Sequence, residues 1–421
     1  MSSTLKKSIF IWLLGALFYF YQYIIRVSPN LMTEELMQAF SIDAAMLGTL
    51  ISIYYISYSP MQIPLGITID YLGPRRLLTA AAMICGLSCF LFTWAPNFYW
   101  AALARLLIGL GSGCAFIGTL KLATIWFDPK RLGTLVGATM LLGTSGATLG
   151  GAPLEFLIDA TNWKIALNIV GAVGVLMAIL IYAVVRDKNE ASHHMDLAKE
   201  EAKLLDGLKK VIRTPQAWII ALFAMFMYMP IALIGDLWGV PFVVKYYNIN
   251  EKIAATVISS MFIGVAIGAP LFSTISDFLQ TRKKIMMVSA ICSAMVYCII
   301  LYVPNIPLWM MYGLFFSAGL CFGGQCLSFA SVCEIMPIKI SGVAMGVVNS
   351  IVMLCGTFSH PLTGLLTEFH WDGTMAAGVP VYSLANYKFS LTIIPVSLML
   401  SFIVALYMKD TYPSKYKKEK R

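Results

Sequence analysis

The stretch Gly66-Ile67-Thr68-Ile69-Asp70-Tyr71-Leu72-Gly73-Pro74-Arg75-Arg76 closes a long apolar run with an acid and follows it, five residues later, with a basic pair. A second copy, Ser273-Thr274-Ile275-Ser276-Asp277-Phe278-Leu279-Gln280-Thr281-Arg282-Lys283, lies 207 residues further on. The same displacement sets Phe40-Ser41-Ile42 on Tyr247-Asn248-Ile249, Thr49 on Thr256 and Ser52 on Ser259. A repeat of this length in an apolar chain means two related halves, with the functional site expected at their interface.

Working outward from the repeat, composition sets the class. The chain has 421 residues, 59% of them hydrophobic and only 12% charged, with a mean hydropathy of +0.78. That charge is too sparse to cover a water-soluble protein of this size. A helix needs ~20 apolar residues to cross a bilayer. Twelve runs meet that length, near 9–28, 46–69, 77–95, 98–120, 132–155, 163–185, 216–238, 253–276, 285–303, 307–332, 341–366 and 389–408. They are too long and too evenly apolar for barrel strands, so the expectation is an all-α membrane protein of twelve transmembrane helices in two pseudo-symmetric six-helix halves. The divisions are 1–185 for the first half, 186–215 for a polar linker, 216–408 for the second half and 409–421 for a basic tail.

The net charge of +9 does not signal nucleic acid, because its placement follows the membrane. One set of alternate loops, with both termini, carries 24 of the 30 Lys and Arg. The opposite set carries Arg26, Lys164, Lys245, Lys252 and Lys388, and Arg105 falls inside a span. Positive charge is retained inside, which places both termini in the cytoplasm. The tail Lys415–Arg421 suits lipid headgroups or a solvated end equally. The linker holds His193-His194 and an amphipathic helix whose apolar face carries Leu197, Leu204, Leu205 and Leu208. The start resembles a secretory leader but lacks a small-residue cleavage site, and reads as an uncleaved first helix. The nine cysteines lie inside or at the ends of spans without metal spacing, which makes them small packing residues. No cofactor or metal is expected, and neither a Walker loop nor a nucleophile elbow is present.

Three motifs carry a resemblance to a known family. They are the Gly66–Asp70–Arg75-Arg76 loop with its copy at Asp277 and Arg282; Arg105-Leu106-Leu107-Ile108-Gly109-Leu110-Gly111-Ser112-Gly113 in span four; and the loops Trp126–Gly133 and Glu334–Gly342. Over essentially its whole length the chain resembles the major facilitator superfamily. The resemblance implies a secondary transporter, not an enzyme: one small-molecule site between two six-helix halves that open alternately to either side, in most members as a monomer. It makes the Gly66, Asp70, Arg75 and Arg76 loop a gating latch, weaker in the copy because Ser273 and Gln280 replace Gly66 and Gly73. It also sets Arg105 near the pathway, where such an arginine is often linked to proton coupling.

The residues themselves suggest a substrate. Arg26 near the outer end of span one suits a carboxylate, and Asp236 near the outer end of span seven suits an ammonium. Together they would hold a zwitterion, or pair with one another as an outer gate. Tyr23, Tyr54, Tyr58, Gln325 and Asn349 are further substrate-site candidates, alongside Gln22, Gln62, Asn168 and Tyr228. His360, the one histidine inside a span, joins Asp236 and Arg105 as a proton-coupling candidate; beside Pro361 it equally suits backbone carbonyls freed by the proline. The Tyr-rich first span with Arg26-Val27-Ser28-Pro29-Asn30 resembles a nutrient-uptake branch of intracellular bacteria that imports amino acids. The expectation is therefore proton-coupled amino-acid import across a bacterial inner membrane. The alternatives are organic-anion symport, drug or metabolite efflux, and a non-transporting sensor. Ala147 in place of a proline after Gly146 lowers the efflux reading.

Overall fold

The computed structural model describes residues 3–127, 132–186, 197–337, 340–376 and 379–412. Almost all of them are helical. Among the described residues eleven helices are long and apolar enough to cross a membrane, twelve if the bent pair Thr33–Phe40 and Ala44–Met61 is counted as one span. The pair turns through 103° at Ser41, which takes the left-handed conformation that ends a helix (φ 51°).

Backbone geometry repeats with the sequence. Ser41 and Asn248, 207 residues apart, have φ of 51° and 53°, and Gly73 and Gln280, at the same displacement, have φ of 77° and 51°. The duplicated motif thus keeps its left-handed hinge even where glycine has become glutamine, a change that carries a conformational cost.

The span boundaries move where proline and glycine act. The second helix ends at Met61 instead of continuing to 69, because Pro60 and Pro64 remove backbone donors on either side of a turn. The next helix, Leu65–Thr93, runs through the expected loop and is interrupted only at Gly73. Spans four and ten are each broken near the middle: Phe98–Ser112 gives way at Gly113 to Cys114–Trp126, and Leu308–Phe322 passes through a 3-10 turn at Gly323–Cys326 into Leu327–Ile335. Span seven is interrupted by a π-helical segment, Ile231–Trp238, between Pro215–Pro230 and Gly239–Tyr247. Among the described residues the one strand pairing joins Met375–Ala376 with Val379–Pro380.

Contacts divide the chain into two compact units. The first comprises 1–28 and 53–203, and the second comprises 29–52 and 204–421. Small residues set the packing of the first unit. A Cβ at Gly146 would stand 2.2 Å from the Phe20 carbonyl oxygen, and one at Gly109 would stand 2.1 Å from that of Tyr54. Those glycines let span five lie on the tyrosine-rich first helix and span four on the second. Helix Trp163–Val184 presents Ile165, Ile169, Val173, Leu176 and Leu180 outward at helical spacing, the stripe expected of a lipid-facing surface. The amphipathic linker helix forms over Leu197–Ile212. Gly207 and Val211 are buried while Leu205 is exposed. The side chains of Leu197 and Leu204, the His193-His194 pair, the loop positions 128–131 and the tail Lys415–Arg421 lie outside the described residues.

Candidate functional site

The first unit gathers a cationic and aromatic cluster. Arg26, on helix Ser3–Val27, is 2% exposed, and its Nη2 donates to the Tyr55 hydroxyl at 2.9 Å. Its guanidinium lies over the rings of Tyr23 and Tyr55 at 5.6 and 5.4 Å, within cation–π range. Tyr54 donates to Gln22 Oε1 at 3.1 Å, stacks on Tyr58 and meets Tyr55 edge-on. Arg105, also 2% exposed, places its guanidinium 5.3 Å from the centre of the Tyr54 ring. Arg26, Tyr23, Tyr54, Tyr58 and Arg105 are thus brought together, with Tyr55 as the residue that joins Arg26 to the second helix. Tyr55 is not among the candidates read from the sequence; its hydroxyl, a direct partner of Arg26, is the added feature. Two permanently charged groups buried this deeply among aromatics are costly unless matched by an opposite charge.

In the second unit, Asp236 is 1% exposed and belongs to the π segment. That segment packs on helix Ser341–Phe369, where Cys355 lies within electrostatic reach of the Asp236 carboxylate. His360, fully buried, is one turn further along the same helix. Its own carbonyl is met closely by the second span: a Cβ on Gly48 would stand 2.4 Å from it. Gln325 is buried in the 3-10 break of span ten, and Asn349 is half-buried.

The two latch motifs take different forms. Arg75 donates through Nε to the Tyr182 carbonyl at 2.9 Å and stacks on that ring at 4.3 Å, while Arg76 is exposed. The surroundings of Gly66 and the side chain of Asp70 lie outside the described residues. The second copy is a dense network of charged groups. Arg282 bonds Asp277 at 2.7 Å and Glu334 at 2.9 Å. Glu334 also accepts from Thr411 at 2.8 Å, and Asp410 accepts from the Arg282 backbone N–H at 3.0 Å. Burial would lower the Arg282 pKa, but Glu334 and then Asp277 outweigh it and hold the group above its ordinary value. The sequence comparison of the two copies missed Asp410 and Thr411, which lie far from the motif in the chain.

Other polar contacts were equally hidden. Glu368 accepts from the Ala45 N–H at 2.9 Å and Tyr382 accepts from Ala44 N–H at 3.1 Å, so that a carboxylate and a phenol satisfy the N-terminus of helix Ala44–Met61. Burial holds the Tyr382 phenol above its usual pKa. Asn30 is 3% exposed and bonds the π segment. An asparagine directly after Pro29 at a helix break was the available signal.

A repeated all-helical chain of eleven to twelve apolar spans, with buried ionisable groups on broken helices, defines a multi-pass membrane transporter. The chain belongs to the major facilitator superfamily, whose family model matches residues 11–359 and 232–421. It is 24% identical over 389 residues to the membrane sensor protein UhpC of Salmonella typhimurium, covering 87% of this chain and 86% of that one. It is 22% identical to a probable hexose phosphate transport protein of Chlamydia muridarum, covering 85% of each. Its fold matches a bacterial homologue of the human lysosomal transporter Spinster, solved inward-facing and unoccupied, with a TM-score of 0.76, 17% identity, and coverage of 98% of this chain and 99% of that one.

Proposed function

We propose that the protein imports a small organic anion, a sugar phosphate or a carboxylate of similar size, in symport with protons. The observation that carries this reading is the pair of buried guanidiniums, Arg26 and Arg105, in one unit beside tyrosine hydroxyls. Arginine matches phosphate and carboxylate oxygens bidentately and keeps its charge at every physiological pH. An anionic solute meeting either guanidinium would gain strong, charge-assisted hydrogen bonds. The likeness to a probable hexose phosphate transporter supports the same chemistry. Arg105 cannot itself titrate in the physiological range, so its part in coupling is electrostatic. Asp236 and His360 are the groups able to take up a proton.

A second reading keeps the amino-acid substrate. Its support is Asp236 itself, a buried carboxylate suited to an ammonium while Arg26 takes the carboxylate. In either case the Asp70–Arg76 and Asp277–Arg282 motifs act as cytoplasmic gates, both termini lie in the cytoplasm of a bacterial inner-membrane protein, and the monomer is the working unit.

The test is uptake into proteoliposomes of labelled glucose 6-phosphate, glucuronate and an amino-acid mixture, with and without an inward proton gradient. Saturable, gradient-stimulated uptake of either anion, with the stimulation lost in Asp236→Asn, is expected. Amino-acid uptake with no uptake of either anion overturns the anion reading in favour of the zwitterion.

A further inference from the structure

We propose that Asn30 is the positioning residue for Asp236, holding the π segment in the register that presents this acid. The proposal rests on the reading of Asp236 as a functional acid. A π turn closes i→i+5 instead of i→i+4, so it carries one extra residue and leaves neighbouring backbone groups without their usual partners. Such a turn lasts only where something else takes those groups up.

Asn30 does so on both sides of the acid. Its Nδ2 donates to the Ile234 carbonyl at 2.9 Å and to the Gly235 carbonyl at 3.0 Å. Its Oδ1 accepts from the Val240 N–H at 2.9 Å. One planar amide therefore clamps the two peptides just before Asp236 and the Val240 N–H one turn after it. Both amide hydrogens and an oxygen lone pair are used, and the flipped amide would set donor against donor and acceptor against acceptor. No aliphatic or hydroxyl side chain of that size offers the same set.

The clamp is itself held in place. Asn30 lies in the 3-10 turn Ser28–Leu31, where Pro29 precedes it and the Pro29 carbonyl accepts from Met32 N–H at 3.3 Å and Thr33 Oγ1 at 3.2 Å. Glycines permit the close fit on the other side. A Cβ at Gly239 would stand 2.2 Å from the Ile234 carbonyl oxygen, one of the two that Asn30 binds, and a Cβ at Gly235 would stand 2.7 Å from Phe262 Cζ. The segment thus combines a non-α register, two glycines that admit it, a buried acid and a side chain that fastens the backbone around that acid. A residue needed only for stability has no reason to bracket Asp236. In the chain, Asn30 follows Arg26 by four residues, so one short stretch both supplies the anion-binding guanidinium and orients the acid.

The test uses full-length protein in proteoliposomes. Amide hydrogen exchange is followed over 231–240 for wild type, Asn30→Ala and Asn30→Asp. The same preparations give the ratio of gradient-driven glucose 6-phosphate uptake to gradient-free exchange; where the wild type takes up only the amino-acid mixture, that mixture is the labelled solute. Asn30→Asp keeps the acceptor for Val240 and nearly the same shape but sets a carboxylate oxygen against the Ile234 and Gly235 carbonyls, which separates loss of the donors from loss of the acceptor. Expected for Asn30→Ala is exchange at Val240 faster by about tenfold, from the loss of a buried hydrogen bond, and a driven-to-exchange ratio falling toward that of Asp236→Asn. Asn30→Asp, which keeps the Val240 acceptor but loses both donors, is expected to leave Val240 exchange closer to wild type than Asn30→Ala does, with the uptake ratio falling at least as far as in Asn30→Ala. Unchanged hydrogen exchange in both variants overturns the clamp. Faster exchange with an unaltered uptake ratio reduces Asn30 to a structural residue and overturns its positioning role. Asp236→Asn with wild-type driven uptake refutes the role of the acid separately, while the exchange data still decide the clamp.

Discussion

Replacing Arg282 with alanine strips one carboxylate of its partner where water cannot easily replace it and another where water can. The Arg282 side chain is 10% exposed, Glu334 14% and Asp277 57%. Glu334 Oε1 accepts two bonds from the guanidinium, at 2.9 and 3.1 Å, whereas Asp277 accepts one at 2.7 Å. Breaking a mostly buried pair by removing one partner costs about 3 kcal/mol, and an exposed pair contributes less than about 1 kcal/mol. Glu334→Gln and Arg282→Ala are therefore expected to lower stability by about 2–3 kcal/mol, and Asp277→Asn by well under about 1 kcal/mol. At about 2–4 °C per kcal/mol for a unit of this size, the first two variants lose roughly 4–12 °C in thermal unfolding in nanodiscs. Asp277→Asn loses less than about 2 °C. The double variant Arg282→Met/Glu334→Leu recovers a large part of the loss, because no lone buried charge remains. Equal losses from Asp277→Asn and Glu334→Gln would refute the claim that burial, not the motif's own acid, decides the strength of this network.

Other expectations follow from single contacts. Gly109→Ala forces a Cβ to within 2.1 Å of the Tyr54 carbonyl; overpacking of this kind costs about 1–3 kcal/mol, and a drop in folded yield and unfolding temperature checks it. Gln280→Gly relieves a left-handed residue (φ 51°) and raises the unfolding temperature by the equivalent of about 0.5–1 kcal/mol. Tyr55→Phe removes the hydroxyl that accepts from Arg26 and raises the KM for the transported anion by about tenfold, the effect of about 1.4 kcal/mol for a lost charge-assisted bond; an unchanged KM would separate Tyr55 from the site.

The membrane class, the helical architecture and the duplication were legible because each is written in local pattern: apolar runs of bilayer length, and a motif that recurs at one displacement. The paired left-handed residues Ser41/Asn248 and Gly73/Gln280 show how far that displacement carries into backbone geometry. Helix breaks were less legible. Pro60 and Pro64 were visible, yet the hydropathy of 46–69 concealed the turn between them. The π segment was invisible because Ile231–Trp238 reads as ordinary apolar helix; its register depends on Asn30, some 200 residues away in the chain. The cation side of the site was read from single residues, since arginine in a span is costly enough to stand out. Its supporting hydroxyl on Tyr55 was not, because a tyrosine in a span serves equally as packing. The full set of partners of the second latch was not legible for the same reason: Asp410 and Thr411 complete it through space, beyond the reach of a motif comparison.

The central claim is that Arg26 anchors the negative charge of the transported solute. It is tested most directly by uptake of labelled glucose 6-phosphate, glucuronate and uncharged glucose into proteoliposomes bearing wild type, Arg26→Lys or Arg26→Gln. The account predicts that wild type carries an anion and not glucose, that Arg26→Lys raises the KM for that anion by about tenfold, and that Arg26→Gln raises it by about a hundredfold, the loss of roughly 2–3 kcal/mol of charge-assisted bonding. Anion uptake with an unchanged KM in Arg26→Gln, or equal transport of uncharged glucose by the wild type, would contradict it.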